Sequence, residues 1–373
     1  MFRLSNLIKS TLQEQKSRSL DGSIIIWNMT NRCNLLCHHC YSKASANEKE
    51  SLSLEDILKT IPKLKIANIN FVIFSGGEPL LRKDIFEIAQ CMKDNKIMTY
   101  LSTNGTYITE KNAQKIIDTF NYIGISIDGI GEVHDYFRGQ KGSYDKSIEA
   151  IKTIQKLGGN AGIRFTITKE TESSFYDIFT LAEELNVNKI YISHLVYSGR
   201  GKENLEIDIS KEKRKEYVSF MINKAFEYYE NGKDIDIVTG NMEMDAIMLL
   251  KEFEKKYPDF VNSLKNRLKS WGGNSAGKRL GNMDWNGFVK PDPFFPMTIG
   301  NYLEKDFDKI WLDDNNELLK KLREFPRNIK GKCSSCKYID ICNGGSRSRA
   351  YAISGDLWDE DPSCYLTLEE IKG

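Results

Sequence analysis

Cys33, Cys37 and Cys40 sit on one short stretch, Asn31-Arg32-Cys33-Asn34-Leu35-Leu36-Cys37-His38-His39-Cys40-Tyr41. With 8 cysteines in 373 residues, chance produces this spacing in only about a few chains per thousand. Three thiolates so placed can each take one iron of a cubane cluster and leave the fourth iron without a protein ligand. Such a vacancy accepts a small chelating molecule, as the open position of a catalytic metal site does. A zinc knuckle made from the same cysteines with His38 or His39 is the structural alternative.

A second set follows near the C-terminal end: Cys333-Ser334-Ser335-Cys336, then Cys342, then Cys364. Four thiolates can ligate a cluster completely, with no open iron, and they also suit structural zinc. Cys91, alone on a helical pattern, reads as a core thiol. Cysteines clustered in a long chain point to metal binding in a reducing compartment rather than to a disulfide scaffold. The opening MFRLSNLIKSTLQEQKSRSL has no continuous apolar run, so a cytoplasmic location is expected, and no later stretch reaches the roughly 18 apolar residues of a membrane span. Lys plus Arg number 53 and Asp plus Glu 52, a balance that steers the protein towards neither nucleic acid nor an anionic membrane. Any anionic ligand must be held by local charge.

The elements that position these residues are legible in outline. A chain 40% hydrophobic and 28% charged can bury a full core, and its length suits one large α/β unit or two domains. Apolar β-type runs at 23–27, 70–74, 97–101, 122–127, 162–167 and 189–193 alternate with helical patterns, which predicts βα units and a parallel sheet. Six units fit before residue 200, two short of a closed eightfold barrel. Ser53 with Asp56, and Ser210 ahead of a periodic apolar face, mark two helix starts. Between 200 and 270 the strand pattern stops and two long helical segments are expected. From Trp271 the chain is richer in Gly, Pro and Asn, with a hairpin over 282–289 turning at Asn286-Gly287. The organisation expected is a lead-in over 1–22, a partial barrel over 23–200, a helical linker over 201–270 and a small α+β cysteine-bearing domain over 271–373.

The first cysteine spacing, with an aromatic residue after the last cysteine, resembles the radical S-adenosylmethionine (radical SAM) superfamily. The likeness continues in Ser75-Gly76-Gly77-Glu78-Pro79, Ser102-Thr103-Asn104-Gly105 and Ser126-Ile127-Asp128-Gly129, each at a strand C-terminus, where a barrel carries its active site. Read blandly, these are βα turns, rich in Gly and Asn because turns need them. The resemblance implies a partial (βα)6 TIM-type barrel, a [4Fe-4S] cluster on Cys33, Cys37 and Cys40, and S-adenosyl-L-methionine (SAM) as cofactor. It implies that Gly76, Gly77 and Glu78 hold the methionine amino group, with Ser102, Asn104, Ser126 and Arg164 near the ribose and carboxylate. Glycines let main chain approach a ligand closely, and an arginine suits a carboxylate. The second cysteine set resembles the SPASM or twitch extension of such enzymes, implying another [4Fe-4S] cluster on Cys333, Cys336, Cys342 and Cys364. Where the full SPASM pattern has further cysteines, this chain has Asn274, Asp292 and Ser346. One auxiliary cluster is therefore expected, with oxygen ligation by Asn274 or Asp292 disfavoured.

Segments outside the SAM turns resemble the radical SAM (NirJ) family of haem d1 biosynthesis and its alternative-haem-pathway relatives. They include Met1-Phe2-Arg3-Leu4-Ser5, Ser198-Gly199-Arg200-Gly201, Trp271-Gly272-Gly273-Asn274 and Pro362-Ser363-Cys364-Tyr365. The resemblance implies that a 5′-deoxyadenosyl radical removes propionate side chains from a sirohaem-derived tetrapyrrole, didecarboxysirohaem. The relatives remove acetates or decarboxylate propionates, and an electron donor such as ferredoxin or flavodoxin is implied. The residues are compatible with an anionic substrate: Lys265, Arg267, Lys269, Lys278, Arg279 and Lys290 face one acid, Asp284, within 265–290. Arg347 and Arg349 are further candidate cations. Trp285, Phe288, Phe294 and Phe295 could flank a flat macrocycle and His194 could reach substrate or adenine, although core packing is the default for each. Two rivals stand beside this expectation. A SPASM peptide maturase would want a docking wing ahead of the barrel, and an electron carrier has no need of the Gly76-Gly77-Glu78 turn.

Overall fold

Isoleucine-rich runs with alternating burial build the centre of the protein. The structure, a computed structural model, describes residues 1–15, 22–49 and 51–372. Its strands are β1 (Phe2–Arg3), β2 (Ser23–Thr30), β3 (Ile69–Gly76), β4 (Met98–Thr103), β5 (Tyr122–Ser126), β6 (Ala161–Ile167), β7 (Lys189–His194), β8 (Asp236–Gly240), β9 (Leu280–Met283), β10 (Phe288–Lys290) and β11 (Gly300–Asn301). They form one sheet in the order β1-β8-β7-β6-β5-β4-β3-β2-β9-β10-β11. The strands from β2 to β8 run parallel, and β9 continues the parallel set on the other edge of β2. The fold is the α/β partial barrel with a C-terminal extension that the sequence predicts, and the six expected strands are β2 to β7.

Period-two alternation sends Ile25, Trp27 and Met29 of β2, and Ile163, Phe165 and Ile167 of β6, into the helix-covered core, all essentially unexposed. The other face of the strands is the lumen, and there Ser75, Ser102, Ser126, Arg164 and Ser193 are half-buried. A parallel strand sequence read as near-continuous apolar is thus polar every second residue towards the mouth, where ligands bind.

Two expectations are corrected. Residues 200–270 contain a strand, β8, paired parallel to β7 and antiparallel to β1. Its pattern is masked because Asp236 faces Arg3, at 2.7 Å, where an apolar residue would have signalled a strand. Three long helices rather than two occupy the region, Lys211–Glu230, Asp245–Lys256 and Val261–Trp271, after the short helix Arg200–Glu203. The two helix starts are as predicted: Ser53 accepts from Asp56 N and Ser210 from Lys213 N. β9 and β10 form the predicted hairpin. Among the described residues no helix is long and apolar enough to cross a membrane.

Candidate active site

The loop after β2 brings Cys33, Cys37 and Cys40 together at the C-terminal mouth of the strands. Cys33 and Cys37 are buried and Cys40 half-buried. Each sulfur has one hydrogen-bonding partner among the described residues: Leu35 N–H donates to Cys33 Sγ at 3.4 Å, Arg138 Nη1 to Cys37 Sγ at 3.5 Å, and Ser42 Oγ lies 3.5 Å from Cys40 Sγ, where it would donate to a thiolate. Burial pushes the Cys33 thiol up to about 12, and neighbouring Cys37 and Cys40 push the same way. Such thiols ionise only when a metal takes the proton's place. The donor set fits an iron–sulfur cluster, whose sulfurs are stabilised by N–H and O–H groups of this kind.

No zinc knuckle is assembled among the described residues. His38 Nδ1 is engaged with Glu170 Oε2 at 2.7 Å, and His39 stacks on the Phe137 ring at 4.7 Å. Among the described residues no three His, Cys, Asp or Glu side chains converge as around a single metal ion. A cubane asks for something different, one thiolate for each of three separate irons.

Two clamps hold this loop, and sequence reasoning found neither. Phe137 O and Arg138 O, at the end of helix Glu132–Arg138, accept from His38 N and Leu36 N at 3.0 and 3.1 Å. On the other side Arg200 N donates to Cys40 O, Arg200 Nε to Cys37 O and Asn204 Nδ2 to His38 O. Gly199, with φ +57°, lies so close to Cys40 O and Tyr41 O that a Cβ has no room. The Ser198-Gly199-Arg200-Gly201 motif was legible, but its purpose, gripping a loop about 160 residues earlier, was not.

The glycine turn packs on the same loop. Gly77 N donates to Thr30 O and Glu78 N to Arg32 O, both at 2.8 Å, and a Cβ on Gly77 would overlap Arg32 O. Glu78 is fully buried; its carboxylate accepts from Leu80 N, Thr103 Oγ1 and Asn104 N at 2.8 to 3.0 Å. It therefore ties the β3 turn to the β4 turn. Asn104 in turn donates from Nδ2 to Asn34 Oδ1 of the cysteine loop at 3.0 Å. By contrast the side chains of Ser102, Ser126 and Arg164 make no hydrogen bond among the described residues. Ser126 and Arg164 are in register on β5 and β6, and the guanidinium rests on the Tyr191 ring at 4.5 Å. Arg164 is a cation at the mouth with no paired anion among the described residues.

The second cysteine set also converges. Cys333, Cys342 and Cys364 are buried and Cys336 half-buried. Burial and then the nearness of Cys333 and Cys364 push the Cys342 thiol well above its usual range. The three positions that lack cysteine are knitted into the chain. Asn274 donates to Glu243 Oε1 and accepts from Arg327 Nη1 at 3.1 and 2.9 Å. Ser346 caps Arg349 N, and Asp292 accepts from Phe294 N while burial pushes its carboxyl up to about 6.

Several candidate substrate contacts are overturned. Arg347 and Arg349 are fully buried. Arg347 donates to the carbonyls of Gly344, Gly345, Leu357 and Asp359, and Arg349 pairs with Asp361. Neither is available to a ligand. The cation-rich stretch over 265–290 is no cradle either: Lys269 pairs with Asp340 at 2.6 Å and Lys290 with Asp284 at 3.3 Å. Lys278 O and Arg279 O accept from Ser23 and Ile24, at the end of β2 opposite the cysteine loop. His194 is fully buried between Arg214 and Asp245, and Phe295 packs among Ala276, Leu322 and Leu357. Cys91 is half-buried against the core. Of the aromatic candidates, Phe294 reaches the site's edge, meeting Tyr41 at 5.2 Å.

A parallel partial barrel with three thiols at its mouth, braced by a Gly-Gly-Glu turn, defines the class, and the radical SAM superfamily profile matches residues 27–182. The chain belongs to the radical SAM superfamily and is a radical SAM enzyme, a family that uses SAM and a [4Fe-4S] cluster. Among its relatives, pre-heme d1 synthase of Dinoroseobacter shibae is 36% identical over 378 residues, spanning 99% of this chain and 93% of that protein. Fe-coproporphyrin III synthase of Methanosarcina barkeri is 37% identical over 354 residues, spanning 93% and 89%. Among solved structures, Streptococcus suis SuiB bound to its precursor peptide SuiA shares the fold, with a TM-score of 0.73 over 93% of this chain and 76% of that one at 17% identity.

Proposed function

We propose that this enzyme acts on a sirohaem-derived tetrapyrrole, didecarboxysirohaem, and removes propionate side chains in haem d1 biosynthesis. The observation that carries the proposal is the extent of the likeness to pre-heme d1 synthase, which spans 99% of the chain and not just the 27–182 core. Fe-coproporphyrin III synthase is as similar at 37%, and this supports a second reading in which acetates leave the same precursor.

In this proposal Cys33, Cys37 and Cys40 hold a [4Fe-4S] cluster with one open iron, and Cys333, Cys336, Cys342 and Cys364 hold a second, fully ligated one. Gly76, Gly77, Glu78, Ser102, Asn104, Ser126 and Arg164 surround SAM. Residues 23–200 carry the SAM site, 201–270 connect and add β8 to the sheet, and 271–373 carry the second cluster. Held by Cys33, Cys37 and Cys40 and reduced by a carrier such as ferredoxin or flavodoxin, the open cluster would supply the electron for reductive cleavage of SAM and so the radical chemistry for hydrogen abstraction from the departing side chain. The chain's own part is placement: two clamps fix the cysteine loop, Arg164 offers a cation, and the Tyr41–Phe294 contact brings the C-terminal segment against the mouth.

Anaerobic incubation of the reconstituted protein with didecarboxysirohaem, SAM and dithionite, followed by mass spectrometry of the tetrapyrrole, decides the matter. Loss of propionate-derived groups is the expected result. Loss of acetates transfers the enzyme to the second reading. An untouched macrocycle beside steady 5′-deoxyadenosine formation rejects both and favours a peptide substrate.

A further inference from the structure

Of the three hydrogen-bonding partners of the N-terminal sulfurs, two are neutral, the Leu35 N–H and the Ser42 hydroxyl, and one is a cation, Arg138 on Cys37. Arg138 is 8% exposed, and its other Nη forms an ion pair with Asp128, which is 0% exposed. Although burial opposes the Asp128 charge, Arg138, His39 and the Thr166 N–H hold its carboxyl below the usual range. Arg138 is also bound to the loop it serves, because its own carbonyl accepts from Leu36 N. A carboxylate, a guanidinium and a cluster-ligand sulfur therefore stand in line in a site screened from water.

We propose that Arg138 is a positioning residue for the N-terminal cluster whose guanidinium, donated to Cys37 Sγ, raises the cluster's reduction potential, while Asp128 orients it and moderates its charge. Reduction adds negative charge to the cluster and its thiolates. A cation hydrogen-bonded to one of those sulfurs stabilises the reduced form more than the oxidised form. A buried site leaves that charge weakly screened. Asp128 fixes the donor as the partners of metal ligands do, and its opposite charge offsets part of the effect. The consequence is that the cluster becomes easier to reduce, the step that must precede SAM cleavage. This inference rests on the family's cluster and not on the tetrapyrrole proposal, and its test uses no tetrapyrrole.

The test is an EPR-monitored redox titration of the full-length reconstituted protein, following the signal that changes on addition of SAM. At the wild-type midpoint, Arg138→Met is expected to lower the ratio of reduced to oxidised cluster by about tenfold, which for one electron is about 59 mV. Arg138→Lys, which keeps the charge but not the fork, falls less. Asp128→Asn, which can still accept from Thr166 N, shifts the midpoint the opposite way, upwards. An unchanged midpoint in Arg138→Met with full iron content overturns the proposal. So does a downward shift, or none, in Asp128→Asn, the outcome expected if both residues merely brace the loop. If Arg138→Met does not retain iron, the directions seen in Arg138→Lys and Asp128→Asn decide.

Discussion

Arg349 Nε and Nη2 meet the two carboxylate oxygens of Asp361 at 2.9 and 2.7 Å, with both side chains fully buried. The same guanidinium donates to Leu195 O, just past β7, at 3.1 Å and to Asn241 O, just past β8. One ion pair thus fastens the C-terminal cysteine segment to the mouth of the strands. Removing one partner of such a pair leaves a buried charge uncompensated, at a cost of about 3–5 kcal/mol. Arg349→Ala should therefore lower the urea midpoint of the holoprotein by a corresponding amount. A midpoint within experimental error of wild type would show that the pair does not hold the two parts together.

Arg164 rests on the Tyr191 ring and pairs with no carboxylate among the described residues, so its loss should leave the fold intact. If it pairs with the SAM carboxylate, Arg164→Ala removes a charge-assisted hydrogen bond of about 1.5–3 kcal/mol. Equilibrium dialysis with SAM should then show binding weakened by about tenfold to about a hundredfold. Unaltered SAM affinity with a lower affinity for substrate would reassign the cation to the substrate.

The two cysteine sets predict about eight irons per chain after anaerobic reconstitution, and about four in a Cys33→Ala, Cys37→Ala, Cys40→Ala variant. That variant should form no 5′-deoxyadenosine, because the iron it loses is the one open to SAM. Iron and sulfide analysis checks the first expectation and chromatography of the nucleoside the second. Twelve irons, or zinc in the C-terminal set, contradict the assignment.

His134 is 1% exposed, and its Nδ1 accepts from Asp128 N at 3.0 Å. Burial, with Arg138 nearby, lowers its pKa from 6.5 to about 4. The unfolded chain thus binds the proton more readily between those values, so this contribution is complete above pH 6.5 and is lost as pH falls towards 4. The loss attributable to His134 is on the order of 3 kcal/mol. His134→Asn, whose Oδ1 can still accept from Asp128 N, should show a shallower decline in unfolding free energy between pH 7 and pH 4.5. Parallel curves would remove His134 from the acid sensitivity of the fold.

What the sequence by itself determined was what depends on near neighbours along the chain. The spacing of Cys33, Cys37 and Cys40, the βα alternation from β2 to β7, the Ser53 and Ser210 caps and the Asn286-Gly287 hairpin all express local geometry, and each stands in the structure where it was read. Tertiary structure alone decided which polar residues are engaged and with what. A count of Lys and Arg over 265–290 has no direction, and the fold sends Lys278 and Arg279 to the end of the sheet away from the cysteine loop. Arg347 and Arg349 read as free cations until the fold encloses them among carbonyls and Asp361. β8 was hidden because its Asp236 meets Arg3, a partner 233 residues away. Arg138 and Arg200 reach Cys37 across 101 and 163 residues. Periodicity reports which face of an element turns inward, but a charged side chain takes its meaning from the partner that burial brings to it, and that partner is chosen by chain packing over distances no local pattern spans.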